Sequence, residues 1–298
     1  MYLWFNEDME KTQPIDLVIA WVNNQDQVWR DTYINFCKKN RLNQKIVELL
    51  SCRYAGINFL PIMLKLVEKN MPWVNKIYLL LSNKEQVNGI ALNDKVKCVY
   101  HQEFIWNQFL PTFNSTTIEM FLWNIPNLSE HFIYTNDDML PIGKLEPSDF
   151  FDLDSDKIKI KWRDEIFSYN MNVYAYQCHN CCKALTKRLG VKFDDLTMKR
   201  PVHSMTPMIK SHSKDSFYLI KDLVVPHIRA FRTEYQYNQY IYPLYEFYKY
   251  GTLTTDIDFS YTELDKDFDL NHQIVCVNGE KKKEYVQRFL KEIKELCD

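Results

Sequence analysis

Glycine is scarce in this chain. Six occur in 298 residues, and no GxxxxGK[ST], GxGxxG, GxSxG or HExxH string is present. P-loops, dinucleotide-binding turns, nucleophile elbows and zincin helices depend on such strings, so those readings lose their basis. An excess of either charge is also missing, since 37 Lys+Arg against 39 Asp+Glu leave a net charge of −2. Nucleic acid is therefore not expected as a partner. Long apolar runs are lacking as well: Ile57–Leu66 and Val74–Leu81 are far too short to span a bilayer. The opening MYLWFNEDMEKTQP has no basic region followed by an apolar one, so it does not read as a signal peptide. A cytoplasmic protein is the expectation. The eight cysteines are scattered apart from Cys178, Cys181 and Cys182. Without an export signal a disulfide framework is not expected. Cys178-His179-Asn180-Cys181-Cys182 could begin a zinc site, but no second CxxC or HxxxH pair completes it. Reduced, partly buried thiols are expected instead.

What is present is globular. Apolar residues make up 46% and charged residues 26%, and the length suffices for one large α/β domain. Aromatics reach 15%, which fits either a bulky core or a sugar-stacking surface. Continuous β-forming runs at Ile15–Val22, Lys76–Leu81, Val96–Tyr100 and His131–Thr135 end in polar residues. Helical patterns at Leu60–Lys69 and Thr117–Trp123 lie between them, so strands alternate with helices and predict a mostly parallel sheet. The second half is less regular. Lys157–Trp162 alternates like an edge strand, and Asp215–Leu223, Tyr237–Tyr250 and Lys282–Leu296 read as helices. Pro243 is expected to kink or restart the second of these. We expect a single domain, with an α/β core over about residues 12–152 and a mixed, helical part over about 153–298.

Ligands of parallel sheets bind beyond the carboxyl ends of the strands. Those ends carry Asn23 and Asp26, Asn83, His101, and Asn136-Asp137-Asp138. Two adjacent carboxylates suit a hard divalent cation bridging a diphosphate, or one could bind sugar hydroxyls; the same cluster could simply end the strand in a turn. Thr116 with Glu119 fits a capping box, which places a helix start near Ser115 with Asn114 and Ser115 as added donors. Glu119 could equally be only a cap. His203 offers a base with a near-neutral pKa, and Arg232 a clamp for phosphate oxygens. Pattern alone does not choose His203 over His101, His212 or His227.

Four ordered stretches carry a resemblance. IDLVIAWVNNQD (Ile15–Asp26), Arg53–Asn83 and Phe109–Met139 resemble successive conserved regions of Stealth proteins. VHSMTPMIKS (Val202–Ser211) with Phe231–Gly251 resembles a fourth. That family includes bacterial capsule polysaccharide phosphotransferases and the animal enzyme that makes the mannose-6-phosphate tag. The resemblance implies a Rossmann-like α/β fold similar to nucleotide-sugar transferases. It also implies transfer of a hexose 1-phosphate from a UDP-sugar to a glycan hydroxyl, with release of UMP. The family's functional positions fall on Asn23, Asp26, Arg53, Asn114, Ser115, Glu119, Asn136, Asp137, Asp138, His203 and Arg232. His203 and Arg232 would be catalytic, and Asp137 and Asp138 would be catalytic or hold Mg²⁺ or Mn²⁺. The remaining positions would bind the donor. An oligosaccharide or lipid-linked glycan is the expected acceptor, and association with membrane assembly machinery is compatible with it. The alternatives are a metal-dependent glycosyltransferase releasing UDP, or a non-catalytic carbohydrate-binding protein.

Overall fold

The computed structural model describes residues 13–43, 57–168, 170–194 and 196–297. From β1 (Ile15–Ala20) the chain passes through α1 (Gln27–Lys39) and α2 (Leu60–Asn70) to β2 (Ile77–Leu81) and β3 (Val96–Tyr100). Next, α3 (Ser115–Glu119) precedes β4 (His131–Asn136), which turns at Asp137-Asp138 into β5 (Met139–Pro141). The short β6 (Phe151–Asp152) and β7 (Lys157–Ile158) lead to β8 (Trp162–Ile166), α4 (Val173–Leu189), β9 (Thr197–Pro201) and β10 (Thr206–Ile209). Last come α5 (Lys210–Leu219), α6 (Ile241–Lys249), β11 (Phe259–Leu264), β12 (Ile274–Lys281) and α7 (Lys283–Cys297).

The central sheet runs β3-β2-β1-β4-β10. Its first four strands are parallel, and β10 pairs antiparallel with β4. This is the mostly parallel α/β sheet that the alternation predicts. Its strands read as unbroken apolar runs because both faces are covered. Val18, Tyr78, Leu80, Phe132 and Tyr134 point into one core, which α4, α5 and α6 close. Leu17, Ile19, Ile77, Leu79 and Ile133 point into the other, which α2, β12 and α7 close. Residues from both halves of the chain therefore interleave in each core. The abundant aromatics mostly fill these cores, with Tyr78, Tyr134, Tyr240, Tyr242, Phe132 and Phe217 fully buried.

The part after residue 152 carries α4–α7 together with β7–β12. Two expectations change. Pro243 neither kinks nor interrupts a helix: α6 starts at Ile241, so the proline falls in its first turn, where a missing N–H is harmless. The capping box at Thr116–Glu119 does not form. Asn114 is the N-cap, its Oδ1 accepting from Thr116 N at 3.1 Å, and Glu119 ends the five-residue helix. The Cys178–Cys182 cluster lies inside α4, with all three sulfurs buried and bonded to backbone carbonyls of Lys199 and Asn238. Among the described residues no group of three or more His, Cys, Asp or Glu side chains is arranged to hold a metal.

One sheet-end residue has a structural duty that can be measured. Asp26 caps α1, accepting from Val28 N at 3.2 Å and Trp29 N at 3.0 Å, and it also accepts from Asn83 Nδ2 at 2.8 Å. Asp26→Ala should destabilise the fold by about 1–2 kcal/mol in urea unfolding, whereas Asp26→Asn, still a good cap, should cost less than half of that. Equal losses would show that the cap is not what Asp26 contributes.

Candidate active site

Strand order reverses between β1 and β4, which pair in register from Ile15↔His131 to Ala20↔Asn136. A crevice at such a switch point, beyond the strand ends, is where open α/β sheets take ligands. Here the β1 loop Trp21–Asp26 faces the β4–β5 turn that carries Asn136, Asp137 and Asp138.

On the β4 side the predicted residues converge. Glu119 is 3% exposed and accepts from Gln239 N at 2.9 Å, with Tyr134 Oη at 3.5 Å. Burial raises its pKa, against the opposing pull of the Arg232 charge and of hydrogen bonds from Gln239, Ser115 and Tyr134. Arg232 donates through Nη2 to Ser115 Oγ. Tyr134 Oη also reaches Asn136 Oδ1 at 3.1 Å, and the Asp138 charge contributes to the raised pKa of Tyr134. Asp138 therefore faces the same cluster, while its carbonyl accepts from Val277 N at 2.8 Å. Asp137 sits in the turn between Asn136 and Asp138.

His203, in the loop before β10, joins this group. Its Nδ1 lies 3.0 Å from Tyr174 Oη and 3.4 Å from Tyr240 Oη. Burial, followed by the charges of Arg200, Arg232 and Arg163, lowers its pKa to about 4. The ring is thus neutral at physiological pH, as a general base must be. Tyr174, Tyr240, Arg200 and Arg163 were not legible as site residues. Arg200 is itself held by Glu165 at 2.6 Å and lies over the Tyr174 ring at 5.4 Å.

Three other predicted residues are committed to internal bonds. Asn114 is 2% exposed, and its Nδ2 donates to Arg229 O and Gln236 Oε1, both at 3.1 Å. It thereby ties α3 to the segment leading to Arg232. Asn23 donates to Gln86 O at 3.1 Å and accepts from Gln25 N at 3.0 Å, shaping the β1 loop that Asp26 closes. Arg53 lies outside the described residues.

Beside the β1 loop, a cleft lined by Trp29, Ser82, Asn83, His101, Gln102 and Phe113 opens at the carboxyl ends of β1, β2 and β3. His101 is 8% exposed, and its Nε2 has no hydrogen-bond partner among the described residues. Burial lowers its pKa to about 4. Unfolding restores an ordinary imidazole, which binds a proton between pH 6.5 and 4, so this group's stability contribution is lost as pH falls through that window. From pH 7 to pH 5 the wild type should lose about 2 kcal/mol more stability than His101→Gln, measured by urea unfolding. Parallel pH dependences would refute this.

Residues 53–161 match Stealth protein CR2, conserved region 2. Over these residues the chain carries a Stealth conserved region. The stretches Arg53–Asn83 and Phe109–Met139, read from sequence as two successive regions, fall within this one matched region. The region includes Asn114, Ser115, Glu119 and Asn136–Asp138; His203 and Arg232 lie beyond it. The Haemophilus influenzae capsular polysaccharide phosphotransferase fcs1 is 35% identical over 205 residues, 66% of this chain and 55% of that protein. LcbA of Aeromonas hydrophila, also a capsular polysaccharide phosphotransferase, is 39% identical over 141 residues, 46% of this chain and 38% of that protein. The receptor polysaccharide phosphotransferase WefC of Streptococcus gordonii is 38% identical over 149 residues, 48% of this chain and 42% of that protein. The chain thus spans about half, or less, of the length of these curated relatives. Among solved structures, the galactosyltransferase LgtC aligns over 95% of both chains at 12% identity, but its TM-score of 0.38 is too low to build on. No helix of the described residues is long and apolar enough to cross a membrane.

Proposed function

We propose that this chain is a Stealth-type transferase that moves a hexose 1-phosphate from a UDP-sugar to a hydroxyl of a glycan acceptor, releasing UMP, in the synthesis of a capsular or other cell-surface polysaccharide. The observation that carries the reading is the convergence of His203, Arg232 and Glu119 on the β4 strand end that bears Asn136, Asp137 and Asp138. The names of the relatives support the phosphotransfer class. The whole chain would act as one catalytic unit, since both cores need both halves of the sequence.

In this reading the acceptor oxygen attacks the β-phosphorus in line. The new bond joins acceptor oxygen to phosphorus, and the bond that breaks joins that phosphorus to the oxygen bridging the α- and β-phosphates, which leaves with UMP. The hydroxyl proton passes to His203 Nε2. That assignment needs Nδ1–H to donate to Tyr174 Oη, which the 3.0 Å separation allows. Arg232, aligned by Ser115 and Glu119, stabilises the phosphoryl oxygens as charge develops. Bound diphosphate would also offset the arginine charges around His203 and lift its pKa toward neutrality, where a base works best. The uridine would occupy the cleft beside His101 and Asn83. The β4–β5 turn offers two carboxylates and an amide oxygen, and Mg²⁺ keeps several waters while taking one or two carboxylates and substrate phosphates. Asp137 and Asp138 fit that requirement and would hold Mg²⁺ or Mn²⁺, which when bound would neutralise diphosphate charge.

Nucleotide release tests the reading. Incubation with a panel of UDP-sugars, Mg²⁺ or Mn²⁺ and an oligosaccharide acceptor should yield UMP and a phosphodiester in the glycan. UDP as the product would replace phosphotransfer by glycosyl transfer.

A further inference from the structure

Residues 157–163 run extended beside the candidate site. Lys157 and Ile158 pair with β6, Lys159 bridges to Leu253, and Trp162 begins β8. Burial alternates along the run. Ile158 and Ile160 are buried and Trp162 is half-buried, whereas Lys157 and Lys159 are half-buried and Lys161 and Arg163 exposed. One face therefore presents four cations at every second residue, about 6.6 Å apart at strand rise. The overall charge balance gives no hint of this, because acids elsewhere offset it.

The row leads to His203. The carbonyl of Lys161 accepts from Val202 N at 2.9 Å, and the charge of Arg163 acts on the His203 ring. Lys159 and Lys161 line a small recess together with Val202 and Ser204. Among the described residues no ion pair engages Lys157, Lys159 or Lys161. Arg163 has only Glu165, at 3.7 Å, and that carboxylate binds Arg200 more closely, at 2.6 Å. Asp152, half-buried at the end of β6, registers the charge of Lys159 in its lowered pKa, behind its hydrogen bonds from Ser155.

A neutral glycan gives no reason for a regular row of four cations, three of them without an ion pair among the described residues, next to the reacting centre. A chain with regularly repeated anions does. Transfer of hexose 1-phosphate, the reaction proposed above, adds one phosphodiester per round, so a growing acceptor would be such a chain. We propose that Lys157, Lys159, Lys161 and Arg163 form a track that binds the phosphodiesters of an acceptor already elongated by this chemistry. The acceptor's identity rests on the phosphotransfer reading; the preference for a phosphodiester chain does not.

The test is calorimetric titration with two synthetic hexose tetramers, one joined by phosphodiesters and one by neutral glycosidic bonds. The wild type should bind the charged tetramer more tightly, and raising the salt should erase the difference. Lys159→Gln/Lys161→Gln, at positions with no ion pair to lose, should weaken the charged tetramer by about three- to tenfold and leave the neutral one unchanged. Lys161→Glu should weaken it further. Equal binding of the two tetramers, or a double variant that binds like wild type, would overturn the proposal. So would a double variant whose acceptor affinity is intact while its UDP-sugar KM rises, since the cations would then serve the donor. Failure of the wild type to release UMP would count against phosphotransfer alone, because the titration needs no turnover.

Discussion

His203→Ala should lower kcat/KM for UMP release by about 10²–10⁴-fold, the usual contribution of a positioned general base, while the folded state persists. The ring lies outside the fully buried core, and its Nδ1 contacts are two tyrosine hydroxyls that are also within reach of each other's network. The pH profile separates a base from a structural ring. In the free enzyme His203 has a pKa of about 4, so the acid limb of kcat/KM should lie near that pH. With donor bound, the diphosphate offsets Arg232, Arg163 and Arg200, so the limb of kcat should lie at higher pH. His203→Ala should lose this limb altogether. The same shift has a stability sign. The lowered pKa contributes stability above pH 6.5 that is lost as pH falls toward 4, and the alanine variant should lack that part of the acid loss. A variant within a few-fold of wild-type turnover, or one retaining the acid limb, would remove His203 from the reaction.

The parts of this fold that were legible in the sequence are those where one signal sufficed. Strands buried on both faces, such as Ile15–Ala20 and Ile77–Leu81, show as unbroken apolar runs, and their polar ends mark the site's edge. The 17-residue α4 was not read, although Asn172 caps its start and Gly190, at φ 68°, closes its end. Cys178, Cys181, Cys182 and Leu185 stand at helical spacing and form a buried stripe, but a CxxC string by itself reads equally as a pair of metal ligands. Thr116 and Glu119 looked like a capping box because spacing cannot tell that Asn114, two residues earlier, takes the cap. The same limit applies to the site. No local pattern distinguishes His203 from the other histidines; what does is the field of three arginines, brought together from positions 163, 200 and 232 by the β8–β9 ribbon and the Arg232 loop. Family resemblance supplied His203 and Arg232, whereas Tyr174, on the unread helix, had no sequence signal at all. Asn23, Asp26 and Asn114 show the converse case, in which residues matching a functional motif spend their polar atoms holding loops in place.

Arg232→Ala should lower turnover by about 10²–10³-fold, the usual loss when a charge-stabilising donor is removed, and should also destabilise the fold. The two effects have different origins. Arg232 is the charge that opposes burial at Glu119, which is 3% exposed. Removing it leaves that carboxylate without a counter-charge, at a cost of about 3 kcal/mol if it stays ionised. It need not stay ionised. Its pKa is already raised in the folded protein and should rise further in the variant, so at low pH Glu119 is a neutral acid that requires no guanidinium. The stability deficit of Arg232→Ala should therefore be largest near pH 8 and shrink as pH falls toward 5. This is the sign for a carboxyl whose folded pKa lies above its unfolded one. Adding Glu119→Gln should recover most of the stability at pH 8, because the amide carries no charge and Gln239 N can still donate to its oxygen. It should recover none of the turnover, because the phosphoryl clamp is still missing. Urea unfolding of wild type, both single variants and the double variant at pH 5 and pH 8, paired with UMP release, separates the two roles. A double variant that regains turnover with its stability would make Arg232 a counter-ion only, and the charge that stabilises the phosphoryl group would have to be sought at Arg163 or Arg200.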